Sequence, residues 1–170
     1  MTKGRPTLVA GVFPGQPDAV AEEAIRVAER FGAHLHFVQV NQTRYPVDAA
    51  PDGDPLARRS LPVDADSVGD APDEFDPGLA RRIDLQVGDR PVPWSSHIEA
   101  GEPAAALARV AERVDAELII VGTRGSTTRE TLRELINGSV AMRLAHRQHR
   151  AVVVVPLAPL LLDEDDPPPS

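Results

Sequence analysis

Short apolar runs alternate with amphipathic stretches along most of this chain, and the alternation sets the predicted elements. Thr7–Val12 (TLVAGV) is a continuous apolar run, the pattern of a strand buried on both faces, and Pro14, Gly15 and Pro17 break it. Asp18 is placed to cap a helix in which Val20, Ala24, Val27 and Phe31 recur at helical spacing, and Gly32 ends it. His34–Val40 (HLHFVQV) follows as a second strand. Asp76-Pro77 reads as a cap and first turn ahead of Leu79, Ile83 and Val87 on one helical side. Pro93–Ile98 is a third predicted strand. Gly101-Glu102-Pro103 opens a helix with Leu107, Val110, Ala111 and Val114 inward. Leu118–Val121 and Ala151–Val155 supply strands four and five, with an amphipathic segment opening at Asn137-Gly138-Ser139 between them. Strands separated by helices with short connections predict a parallel sheet, in an α/β domain over residues 1–156.

Two stretches depart from this rhythm. Residues 41–72 carry Asp48, Asp52, Asp54, Asp64, Asp66 and Asp70 among Pro and Gly with few apolar positions, and read as a mobile acidic insertion. Residues 157–170 form an apolar arm (Leu157–Leu162), then Asp163-Glu164-Asp165-Asp166 and three prolines, with a disordered tip expected.

Composition narrows the function classes. A formal charge of −8 argues against binding to nucleic acid or an anionic membrane, which needs a basic face. With no cysteine there is no disulfide, thiolate metal site or cysteine nucleophile. The apolar run after Met1–Pro6 is too short for a signal peptide, and Ala151–Leu162 is interrupted by Pro156 and Pro159, so a cytoplasmic protein is expected.

The candidate chemistry lies at the carboxyl ends of the strands, where parallel sheets bind ligands. Gly122 and Gly125 follow strand four in a Gly-Thr-Arg-Gly turn, and Gly138 and Ser139 start the last helix. Free N–H groups from Gly138 to Val140 would face phosphate oxygens; equally, the glycines shape turns and Ser139 simply caps. His146 and His149 stand beside Arg143, Arg147 and Arg150, and read as helix-end cations rather than metal ligands. His34 and His36 share one strand face and read as packed or hydrogen-bonded. No carboxylate pair, Ser/His/Asp arrangement or G-x4-GK-[ST] loop is present, so no catalytic residue and no metal site is assigned.

Gly122-x-x-Gly125 with Gly138-Ser139, the Gly101-Glu102-Pro103 to Leu107 helix start and Phe31-Gly32-Ala33 together resemble the universal stress protein family over residues 6–156, apart from the insertion. The resemblance implies a five-stranded parallel, doubly wound, Rossmann-like sheet in three α/β/α layers, related to adenine nucleotide alpha hydrolases. It implies an adenine-nucleotide crevice, with ATP bound by some members. Gly122, Thr123, Gly125, Gly138, Ser139 and Val140 would line the phosphate end, and Gly11, Val12 and Val40 the adenosine end. It also implies a homodimer paired through an edge strand at Ala151–Val155.

Two positions depart from the family pattern. Counting back from Gly32, the aspartate that ends the first strand of ATP-binding members falls at Val12. A lost charge-assisted hydrogen bond costs roughly 1.5–3 kcal/mol, about ten- to hundredfold in affinity. Between the second and third glycines, Ser126–Asn137 gives twelve residues where the family has nine. The charges of Arg124, just ahead of this segment, and of Arg129, Glu130, Arg133 and Glu134 within it read as a solvated turn, the alternatives being a loop over the pocket and Arg124 as an anion contact. The sequence therefore predicts a non-enzymatic, stress-associated binding module with weak or absent ATP affinity. The alternative is a dimeric scaffold with a vestigial pocket, and after it a slow ATP-hydrolysing or nucleotidyl-transfer enzyme.

Overall fold

The computed structural model describes residues 4–42, 44–46, 60–62, 74–123 and 140–157. In chain order these form β1 (Thr7–Val12), α1 (Ala19–Phe31), β2 (His34–Asn41), β3 (Arg44–Pro46), β4 (Ser60–Pro62), α2 (Pro77–Val87), β5 (Trp94–Ala100), α3 (Pro103–Arg113), β6 (Leu118–Gly122), α4 (Val140–Arg147) and β7 (Ala151–Val155). Five strands make one parallel sheet in the order β5-β2-β1-β6-β7. The insertion holds a feature its composition did not reveal, since β3 and β4 pair antiparallel as a separate two-stranded piece. Residues 43, 47–59 and 63–72 of the insertion, and the arm beyond Leu157, lie outside the described residues.

The apolar runs end up in two cores, one on each sheet face. Leu8, Ala10, Val12, Leu35, Phe37 and Ile120 pack under α1 and α2, against Val20, Ala24, Ile25, Leu79 and Ile83. Val9, Val38, Ile119 and Val121 pack under α3 and α4, against Leu107, Val110, Ala111 and Leu144. Strands covered on both faces need apolar residues at every position, which is why β1 and β6 read as unbroken runs.

The helix ends follow local rules with one exception. Asp76 accepts the Leu79 N–H at 2.7 Å with Pro77 in the first turn, as the sequence predicts. Glu102 caps α3 by accepting from Ala104 N–H at 3.1 Å and Ala105 N–H at 2.9 Å. Gly32 closes α1 at φ 59°, and the Ala33 N–H reaches back to Ala28 O at 2.8 Å. Asp18 stands at the cap position of α1 but its side chain makes no cap bond. The carboxylate turns to Arg82 on α2, 3.4 Å away. Phe31 also departs from its expected inward place. It is 59% exposed, and Val20, Ala21, Ala24, Ile25 and Ala28 form the buried stripe.

Candidate functional site

Chain order and sheet order together locate the crevice. From β1 the chain steps outward through β2 to β5, then returns to β6 on the other side of β1. Strand order therefore reverses between β1 and β6, and a ligand of an open α/β sheet sits beyond their carboxyl ends. There β1 ends at Val12 and β6 at Gly122. The loop leaving β1 is a tight turn. Gln16 N–H bonds to Phe13 O at 3.2 Å, Pro14 stands second, and Gly15 takes φ 81° at the position where a type II turn favours glycine.

On the α1 side the crevice wall is apolar. Val12 is 4% exposed and belongs to the core cluster with Val20, Ala24 and Ile120. A Cβ on Gly122 would lie 2.8 Å from Val20 Cγ2, 3.0 Å from Leu157 Cδ1 and 3.1 Å from Gln16 Nε2. The bare backbone of Gly122 is thus needed for packing, because chain already occupies the space its side chain would take. On the α3 side, a Cβ on Gly11 would lie 2.9 Å from Leu107 Cδ1, and Val40 and Val140 pack against the same cluster. Thr123 spends its polar groups on the chain itself. Its N–H bonds to Val155 O and its Oγ1 accepts the Leu157 N–H, each at 2.9 Å.

The residues proposed for the adenosine end therefore divide between the two faces, with Val12 under α1 and Gly11 and Val40 toward α3. At the phosphate end, Gly122, Thr123 and Val140 are placed as above. Gly125, Gly138 and Ser139, with the Arg124 to Asn137 loop, lie outside the described residues. One feature that sequence spacing missed is Leu157, which covers Gly122 from beyond the last strand. Another is Glu102. Its carboxylate fills the α3 N-terminus and lies 3.2 Å from Arg143 Nη1 and 3.8 Å from Arg147 Nη1. A helix end already neutralised by its own carboxylate gives an incoming anion little. Gly101-Glu102-Pro103 marked the start of α3 but not the cap role of Glu102, and its arginine partners, some forty residues on, carry no local signal.

Among the described residues, no group of three or more His, Cys, Asp or Glu side chains is arranged to hold a metal ion, and no helix is long and apolar enough to cross a membrane. His146 and His149 are exposed.

A five-stranded parallel sheet, wound in both directions from β1 and covered by helices on both faces, defines a Rossmann-like α/β protein in three layers. The sequence matches the model of the Universal stress protein family over residues 5–156, and the chain belongs to that family. Among solved structures, a universal stress protein in complex with cAMP aligns with a TM-score of 0.58 at 18% identity, covering 92% of this chain and 100% of its own. A universal stress protein from Archaeoglobus fulgidus DSM 4304 aligns at 0.56 and 23% identity, covering 90% of this chain and 44% of its own. The universal stress protein from Archaeoglobus fulgidus in complex with dAMP aligns at 0.52 and 17% identity, covering 89% and 97%. Likeness at these identities concerns the fold. No curated protein matches the chain significantly.

Proposed function

We propose that this chain is a non-enzymatic binding module of the stress response whose adenine-nucleotide crevice has degenerated, so that ATP binds weakly or not at all. The observation that carries this reading is Val12, seated 4% exposed in the core at the switch point, where a carboxylate would have to meet an adenosine. The filled space over Gly122 and the engaged N–H of Thr123 support it. Adenine nucleotides remain the ligand class to test, because two proteins of the same fold are described in complex with cAMP and dAMP. Titration calorimetry of the full chain with Mg-ATP is expected to give either no heat or a Kd at least ten- to hundredfold weaker than a site holding the missing charge-assisted hydrogen bond. Submicromolar ATP binding would overturn the reading.

A second reading, a dimeric interaction protein with a vestigial crevice, is favoured by β7. This strand forms one edge of the sheet and is nearly all valine, with Val154 45% exposed. An unpaired β-branched edge is a template for another strand. Sedimentation equilibrium is expected to give twice the 18.3 kDa chain mass for the native protein and a single chain for Val154→Lys. A native protein that sediments as one chain sinks the dimer.

A further inference from the structure

The opposite edge of the sheet carries a cluster that the nucleotide crevice does not explain. On the α3 face, His34 and His36 of β2 stack with ring centroids 4.6 Å apart, and His36 stacks on His97 of β5 at 4.9 Å. The β2–β5 register places His36 opposite Ser95 and Val38 opposite His97. His36 Nδ1 lies 2.6 Å from His97 Nε2, and His34 Nε2 lies 2.8 Å from Ser95 Oγ. Beyond His97, Glu99 is buried and is paired by Arg113 and by Arg109 Nη2, the latter at 3.5 Å.

The bond between His36 and His97 sets a limit on protonation. Two facing ring nitrogens share one hydrogen, so one ring donates and the other accepts. The donor ring can gain a proton at its outer nitrogen and keep the bond. The acceptor ring can become charged only by protonating the bridging nitrogen, which puts two N–H groups face to face and breaks it. Of the charged groups around the stack, Arg5 ahead of β1 acts on His34, Arg113 on α3 and Glu99 on β5 act on His97, and Arg109 on α3 pairs with Glu99. Glu99, the carboxylate among them, is already held by two arginines, so added positive charge finds no free counter-ion.

We propose that the β2–β5 seam is a proton-operated latch, in which acidification charges the His34–His36–His97 stack and frees the edge strand β5 while the rest of the sheet stays paired. Burial, then the neighbouring His97 and His34, lower His36 to about 4. Burial and Arg5 lower His34, and burial and Arg113 lower His97 against an opposing pull from Glu99. A released chain binds protons near the ordinary imidazole value of 6.5, above the folded value. The latch is therefore fully closed above about pH 6.5 and opens as pH falls toward about 4. The movement has a direct path to the crevice end of the sheet. Ala100 O accepts from Arg109 at 2.8 Å, Gly101 N–H bonds to Asn41 O at 3.0 Å, and the next residue is Glu102, the cap of α3.

Backbone hydrogen exchange followed by NMR on the full chain at pH 7.5 and pH 5.0, corrected for intrinsic exchange, tests the latch. Amides bonding β2 to β5 are expected to lose about tenfold or more of their protection at pH 5.0, with those between β1 and β6 unchanged. His36→Gln and His97→Gln should each flatten that dependence, and exposed His149→Gln should leave it intact. A loss shared equally by β1 and β6, or one unaltered in both glutamine variants, overturns the proposal. Should those variants fail to fold, imidazole titration of the native protein decides: a His36 ring titrating near 6.5 overturns it, and one titrating well below supports it.

Discussion

Glu99→Ala is expected to lower the unfolding free energy by about 3–5 kcal/mol, the range for removing one partner of a buried ion pair. Glu99 is 5% exposed, and it is the acceptor both for Arg113, whose side chain is 12% exposed, and for Arg109. Arg113 already keeps Nε and Nη1 buried without a protein partner, so losing the carboxylate strands a guanidinium that has little else to bond. The loss should come from that stranded charge more than from the pair itself. Glu99→Leu combined with Arg113→Met is therefore expected to be much closer to the native protein than either single change. Urea unfolding at pH 7.5 measures both. A single-variant loss below about 1 kcal/mol would place the cluster with solvated surface pairs.

Phe37→Ala acts on the other face of the same seam, at an expected cost of about 3–5 kcal/mol. Phe37 is fully buried, and Trp94 of β5 meets it edge-on at 5.7 Å and 80°. That ring contact adds about 0.5–1.5 kcal/mol to simple burial. Trp94 is the chain's single tryptophan, so its emission reports the site directly. The variant should shift Trp94 emission to the red as water reaches the ring, and Phe37→Leu should cost less than half as much. Unchanged emission together with full stability would mean that the seam is held elsewhere.

The parts of this fold written locally were legible in the sequence. Unbroken apolar runs marked β1, β6 and β7, Asp76-Pro77 marked one helix start by its cap chemistry, and Gly101-Glu102-Pro103 marked another. What could not be read was contact between distant residues. Asp18 looked like a cap because serine, threonine and acidic residues commonly are. Its actual partner, Arg82, lies 64 positions away. His36 and His97 are separated by 61 residues and meet only because β2 and β5 pair in one register. Ser60–Pro62 carries little apolar signal, yet it forms a strand because Arg44–Pro46 offers it a partner. At the crevice, Val12 could be named from its distance to Gly32. The seating of Leu157 against Gly122 depends on how the last strand returns to the sheet.

The position of β1 has a consequence for synthesis. Of the five strands in its sheet it is made first and lies at the centre, and its buried Leu8, Val9 and Ala10 pair with β6 on one side and β2 on the other. On a ribosome, β2 is available to it almost at once. The flank that awaits Leu118–Ile120 stays open while the chain from Val12 to Leu118 is elongated, on the order of 5–20 s at ordinary translation rates. For that interval the nascent chain carries an apolar strand edge with no mate, so chaperone capture, or pairing between neighbouring chains on one polysome, competes with the arrival of β6.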